Sequence, residues 1–171
     1  MQNRWLRVYI LAGIIAMAGL DLLSYYPHLP QRMAVHFNAA GHANGWASKE
    51  GFVAIYLGTL LVLTAMFVGL ARGLRKLPAS LINLPNKVYW LAPERREATL
   101  TSLANWLQWM GIATLLFVML IFHLTLMANL QPQPVLPRTF WPAFTGYLIF
   151  VAIWVVLLYR RFNKPPPRSY S

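Results

Sequence analysis

The sequence predicts an all-α integral membrane protein, a four-transmembrane-helix bundle with a structured extracytoplasmic loop between its first two helices. Hydrophobic residues make up 58% of the 171 residues, and the mean hydropathy is +0.48. Four apolar runs are separated by gaps that hold prolines and most of the charges. The hydrophobic fraction and the mean hydropathy both lie well above those of soluble domains. We therefore expect a single membrane domain over residues 1–171.

Each apolar run is long enough to cross a hydrocarbon core of roughly 30 Å at about 1.5 Å per residue. Pro27 should end the first helix because proline lacks the backbone N–H. Ser48 is the expected N-cap of the second helix, with Glu50 in its first turn, and Pro93 suits the first position of the third. The predicted helices span 8–26, 51–71, 93–128 and 141–159, with an outer loop 27–50, an inner loop 72–92 and a disordered basic tail 160–171.

The start of the first helix also resembles a secretory signal peptide. Basic residues precede the apolar run, and Ala16-Met17-Ala18 has the small residues of a cleavage site. The apolar run continues past that point, so an uncleaved membrane helix is the preferred interpretation.

The distribution of basic residues predicts the orientation. With the N-terminus in the cytoplasm, twelve of the fifteen Lys and Arg residues lie on the inner side, and the outer side holds Arg32, Lys49 and Arg138. The positive-inside rule then places both termini in the cytoplasm. The net charge of +11 is thus expected to set topology, with the lipid bilayer as partner and no nucleic acid.

The outer loop should be compact. Its apolar residues Met33, Val35 and Phe37 alternate with other types, which predicts a short extended segment. Gly41 and the pair Asn44-Gly45 supply residues that tight turns prefer.

The loop pattern Leu29-Pro30, His36-Phe37-Asn38, Gly41, Gly45-Trp46 and Ser48-Lys49, directly after a first membrane helix, resembles the domain of unknown function found in bacterial SdpI-type immunity proteins. That resemblance implies a multi-pass protein of the bacterial inner membrane, and its immunity members protect a cell from its own secreted toxin. Asn44 stands where the family pattern leads us to expect aspartate. The later segment NLPNKVYWLAPERR resembles one branch of the same family.

Three histidines of the outer loop, His28, His36 and His42, are candidate metal ligands because imidazole binds zinc and copper. Their spacing matches no metal motif, and the chain has no cysteine. The alternative is that His36 forms a structural hydrogen bond while the other two face water. No cofactor is predicted, and a metal ion is the one candidate.

Asp21 and His123 lie at similar distances from the outer ends of the first and third helices. Because a lone carboxylate in a bilayer costs around 3 kcal/mol, we expect the two to meet beneath the outer loop. Such a pair could serve a ligand or a proton step, or be an interhelical hydrogen bond with a structural role only. The candidate ligand-binding residues are Asp21, Tyr26, His36, Asn38, Asn44, Trp46, Lys49 and His123.

The inner loop carries a second candidate surface of basic and aromatic side chains. Anionic lipid headgroups are its expected partner, with a cytoplasmic protein as the alternative. Its residues are Lys87, Tyr89, Trp90, Arg95 and Arg96. The second helix carries small residues that could form a stripe on which another helix or a second copy of the chain packs. The alternative is that they are simply scattered along a lipid-facing helix. The residues are Ala54, Gly58, Ala65 and Gly69.

Three functions remain open at this point. The first is a non-enzymatic SdpI-like protein that binds, or confers immunity to, an extracytoplasmic toxin, peptide or lipid. The second is a small metal- or proton-dependent membrane enzyme or transport accessory that uses His36, Asp21 and His123. The third is an accessory subunit of a larger membrane complex. No catalytic residues are predicted, since phosphate-loop, nucleophile-elbow and dinucleotide motifs are all missing from the sequence.

Overall fold

A computed structural model describes residues 2–164, with side chains from Trp5 onward. Four of its helices are long and apolar enough to cross a membrane, as the four apolar runs predict. Two short strands, one short α-helix and three 3₁₀ turns complete the described part of the fold. The elements are α1 (Gln2–Tyr25), β1 (Arg32–Phe37), β2 (Ala43–Ser48), α2 (Lys49–Gly73), α3 (Lys87–Trp90), α4 (Pro93–Asn129) and α5 (Phe140–Asn163).

The long helices extend beyond their predicted bounds. Helix α1 begins before residue 8, because nothing between residues 2 and 7 interrupts a helix. Helix α5 continues past residue 159 to Asn163. There, Asn86 Nδ2 donates to the carbonyls of Phe162 and Asn163 at 3.2 and 2.8 Å, which satisfies helix-terminal acceptors. The predicted disordered tail is therefore helical in its first residues, and 165–171 lie outside the described residues.

Helices α1, α2 and α4 form the main core. Their buried side chains lie on facing sides: Ile14, Ala18 and Leu22 of α1, Phe52, Tyr56 and Leu60 of α2, and Ile112, Leu115 and Leu126 of α4. The rings of Tyr56 and Phe122 stack with their centroids 4.3 Å apart. Gly111 lets α2 approach α4, because a Cβ at that position would lie 2.6 Å from Cγ of Phe67.

Helix α5 lies outside this core and, among the long helices, packs mainly on α4 through aromatic contacts. The rings of Phe117 and Tyr147 stack at 4.0 Å, and Trp106 contacts Trp154 at 4.5 Å. Phe162 is the one fully buried side chain of the helix. The small-residue stripe of α2 is likewise unpacked, since nothing within the described residues lies within 4 Å of a Cβ built at Gly58 or Gly69.

The loop between α1 and α2 folds into an antiparallel β-hairpin, and we call this end of the bundle the hairpin end. The turn lies at Gly41, whose φ is +83°, and Asn38 Oδ1 accepts from the amides of Ala40 and His42. The predicted second turn at Asn44-Gly45 is wrong, because both residues lie inside β2. Gly45 is instead opposite His36, where an added Cβ would lie 2.7 Å from Cβ of His36.

The opposite end, which we call the α3 end, carries residues 74–92. Two 3₁₀ turns and α3 fold back under the bundle, with Asn86 in the left-handed region at φ 51°. A second small core holds them there, made of Ile82, Leu84, Leu100 and Phe162.

Candidate functional site

At the hairpin end, Asp21 and His123 meet as the depth argument predicts. His123 Nδ1 and Asp21 Oδ1 lie 2.9 Å apart, and the edge of Tyr25 faces the imidazole with centroids 5.8 Å apart. The pair is half-buried, with the carboxylate side chain 21% exposed. Partnering by His123 offsets part of the cost of placing a carboxylate in a membrane-spanning helix.

Two oxygen atoms near this level of the bundle have no hydrogen-bond partner among the described residues. One is Asp21 Oδ2 and the other is the Tyr56 hydroxyl, and both are buried. A buried polar atom without a partner costs free energy, so such atoms mark either strain or a place where a further group binds. The Asp21–His123 pair is therefore incompletely bonded by the protein itself.

Two further predicted site residues, Lys49 and Tyr26, contact each other at this end. Lys49 is buried, its Nζ lies 4.1 Å from the centroid of the Tyr26 ring, and it donates to the carbonyl of Leu29 at 3.2 Å. The cation–π contact and the hydrogen bond fix the Tyr26 ring where α1 ends. Lys49 is thus oriented by internal contacts.

Tyr26 borders an apolar groove of about 410 Å³ between α1 and α2. Glu50 lies at the same rim and makes no ion pair within residues 5–164. The remaining lining is contributed by Gly19, Leu22, Leu23, Val53 and Leu57. The groove therefore combines an apolar wall with one available carboxylate.

The predicted site residues of the hairpin bond mostly to one another. His36 Nδ1 pairs with Asn44 Oδ1 across the two strands, and Asn38 organises the turn. Trp46 is 41% exposed, and the Arg32 guanidinium lies 5.0 Å from its ring centroid. No hydrogen bond among the described residues joins this set to Asp21–His123 or to Lys49–Tyr26, so the structure divides the eight predicted residues into separate groups.

The three loop histidines do not form a common metal site. Within residues 2–164, no three His, Asp or Glu side chains come together in a way that could hold a metal ion. All three are exposed, and His36 makes the cross-strand hydrogen bond that the structural alternative predicts. His28 and His42 face solvent.

The predicted surface at the α3 end is largely used in internal contacts. Trp90 Nε1 donates to the carbonyl of Phe162 at 2.7 Å, and Arg96 donates to the carbonyl of Leu77 at 2.9 Å. Lys87 reaches the carbonyl of Ser80 at 3.4 Å. Arg95 is exposed and stacks over the Tyr89 ring at 4.2 Å. This pair alone keeps the basic aromatic character that the sequence predicts for the whole segment.

Asn129 is an important residue that the sequence analysis missed. It is buried at the end of α4; its Oδ1 accepts from the Ala34 amide at 2.7 Å, and its Nδ2 donates to the Ala34 carbonyl at 3.0 Å. These two bonds join β1 to α4. A polar amide at the end of an apolar helix was the available signal, but its partner lies 95 residues away and could not be identified.

Comparisons with known proteins identify one similarity. The family model of a domain of unknown function, DUF1648, matches residues 12–60. The match covers less than a third of the chain and includes most of α1, the whole hairpin and the first half of α2. No curated protein and no solved structure matches the chain.

Proposed function

We propose that the chain is a non-enzymatic membrane protein that binds an amphipathic peptide, such as a secreted toxin, at the groove between α1 and α2. The hairpin end faces the extracytoplasmic side of a bacterial inner membrane, as the basic residues and the SdpI-type resemblance both imply. Binding there would keep the peptide from assembling in the membrane. Immunity of the SdpI type is the corresponding biological role.

The observation that carries this proposal is the position of the groove. All seven lining residues fall within residues 12–60, the segment that matches the family model. The shared segment therefore contains a complete surface for a ligand, independent of α4 and α5. An apolar peptide side chain could enter beside Leu22 and Leu57, where it would contact a preformed apolar wall.

The rim gives the groove a charge preference. Glu50 is exposed and makes no ion pair within the described part of the chain, whereas the cation of Lys49 is buried beside Tyr26. A ligand with a lysine or arginine next to its apolar segment would place that cation near the Glu50 carboxylate. The preferred ligand is thus a cationic amphipathic peptide.

Survival of a sensitive bacterium tests the proposal. Cells that express the chain are challenged with a panel of cationic membrane-active peptide toxins, and Leu23→Trp is compared with Leu20→Trp. Both leucines lie on the exposed surface of α1, at 70% and 65% exposure, but only Leu23 lines the groove. We expect Leu23→Trp to remove protection and Leu20→Trp to keep it at equal protein levels.

Glu50→Gln should weaken protection against the most cationic peptides and leave the others unchanged, because it removes charge without removing volume. Two results would contradict the proposal. One is that no peptide of the panel is less toxic to cells that express the wild type. The other is that the two tryptophan variants protect equally well.

A second candidate, a proton-dependent membrane enzyme or transport accessory, is favoured by the Asp21–His123 pair with its unpartnered carboxylate oxygen. A carboxylate and an imidazole at hydrogen-bond distance can pass a proton. This candidate predicts that Asp21→Asn removes protection while peptide binding to the purified protein is unchanged. The groove proposal predicts that Asp21→Asn retains both.

A further inference from the structure

A cavity of about 760 Å³ opens between α1, α2 and α4 near the α3 end, away from the groove. Its volume lies within the range of roughly 300–1,000 Å³ typical of small-molecule sites. Three arginines line it: Arg7 from α1, Arg72 from the last turn of α2 and Arg75 from the 3₁₀ turn that follows α2. Cationic side chains thus converge on one cavity from two helices.

Within the described residues, one of the three arginines pairs with a carboxylate and the other two do not. Arg75 pairs with Glu97 at 2.9 Å, but Arg7 donates to the neutral amide oxygen of Asn105 at 2.7 Å. The Arg72 side chain makes no hydrogen bond or ion pair within residues 5–164. A cluster with one carboxylate for three guanidiniums carries a net positive charge and favours an anion.

The cavity is amphipathic along the helix axes. The end near the arginines also carries Thr101, Asn105 and Gln108. The deeper end is mostly apolar, formed by Leu11, Phe67, Val68, Ile112 and Leu115. Its one hydroxyl among the described residues, that of Thr64, donates to the carbonyl of Leu60 in its own helix. A free inorganic anion would use the first end and leave the second without a partner, whereas a lipid would contact both.

We propose that this cavity binds one molecule of an anionic phospholipid from the cytoplasmic leaflet. Its phosphate lies among the guanidiniums of Arg7, Arg72 and Arg75, whose planar N–H donors match phosphate oxygens. One acyl chain follows Phe67, Ile112 and Leu115 into the bundle. The site differs from the predicted surface at Lys87–Arg96, where most side chains already bond to the protein.

The test measures retention of phosphatidylglycerol and phosphatidylcholine by the full-length protein, by native mass spectrometry and by lipid titration in neutral detergent. Arg72→Gln is the first variant, because its guanidinium makes no hydrogen bond or ion pair among the described residues. Lys76→Gln is its matched control, an exposed cation close by in sequence that does not line the cavity. Thermal stability in phosphatidylcholine checks that both variants fold.

The expected result is that the wild type retains one phosphatidylglycerol in preference to phosphatidylcholine. Arg72→Gln should weaken this binding about tenfold, as loss of one charge-assisted hydrogen bond predicts, and Lys76→Gln should leave it unchanged. Val68→Phe, which fills the apolar end, should also weaken it. Equal effects of Arg72→Gln and Lys76→Gln would show general surface attraction, and would overturn the proposal.

Adding inorganic phosphate distinguishes a phospholipid headgroup from a free phosphate ion as the anion that binds. Under the proposal, millimolar phosphate neither displaces the lipid nor stabilises the protein in an Arg72-dependent way. If phosphate alone stabilises the wild type, loses that effect in Arg72→Gln and retains it in Val68→Phe, the cavity is a phosphate-ion site. That result would overturn the lipid proposal.

Discussion

The two ends of the bundle use their polar residues in different ways. At the hairpin end, Asn38, Lys49 and Asn129 all bond to backbone groups and hold the hairpin in place. At the α3 end, Arg7 and Arg72 line a cavity without an acidic partner in the described residues. A loop dense in histidine and asparagine can therefore be mainly structural, while less conspicuous arginines remain available to a ligand.

The largest expected effect tests the structural role of the hairpin end. Asn129→Leu removes two side-chain hydrogen bonds to Ala34. The buried backbone amide and carbonyl of Ala34 then lose these partners. The free energy of unfolding should fall by about 3 kcal/mol, measured by chemical unfolding in micelles. Gln131→Leu, an exposed neighbour, is the control. A loss no larger than in that control would mean that Asn129 does not attach the hairpin.

Gly45→Ala should have the next largest effect. The added methyl would lie 2.7 Å from Cβ of His36, an atom that cannot move without its strand. We expect a loss of about 2 kcal/mol in the free energy of unfolding. Gly13→Ala is the matched control, because a Cβ at position 13 meets nothing within 4 Å among the described residues. If both variants unfold alike, the strand pairing of Gly45 with His36 is contradicted.

The Asp21–His123 contact is expected to contribute less. A double-mutant cycle with Asp21→Asn and His123→Gln should give a coupling of about 1 kcal/mol in the free energy of unfolding, typical of interhelical polar pairs in membranes. A parallel cycle of Asp21→Asn with Gln131→Leu should give none. Equal coupling in the two cycles would show that the pair is not a specific contact.

The smallest effect is expected at His36. Its bond to Asn44 is exposed, so His36→Ala should lower the free energy of unfolding by no more than about 1 kcal/mol. Elemental analysis after exposure to zinc, copper and manganese should find the same sub-stoichiometric metal in wild type and variant. Stoichiometric metal that disappears in His36→Ala would replace the structural role with a metal site.

Local signals account for what the sequence predicts well. Hydropathy locates the four long helices, and the Ser48 hydroxyl accepts from the Gly51 amide as an N-cap should. The Asp21–His123 contact follows from helix direction and depth. The turn predicted at Asn44-Gly45 is wrong because bulged strands and turns favour the same residue types. Only the pairing with β1 decides between the two structures.

The missed features depend on residues far apart in the chain. The Asn129 contact and the arginine cavity both require α4 to be placed against elements about 100 residues earlier. No periodicity or spacing within one segment carries that information. The apolar groove was missed for the same reason, since it forms only when the end of α1 packs beside the start of α2.

The central claim is that the two ends face opposite sides of the membrane, a peptide groove outside and a lipid cavity inside. Because the chain has no native cysteine, labelling of single introduced cysteines tests this orientation without labelling of native thiols in the chain. His42→Cys and Ser80→Cys place thiols at exposed positions near opposite ends. We expect a membrane-impermeant maleimide to label position 42 in intact cells and position 80 only after permeabilisation. The reverse pattern would contradict the account of both sites.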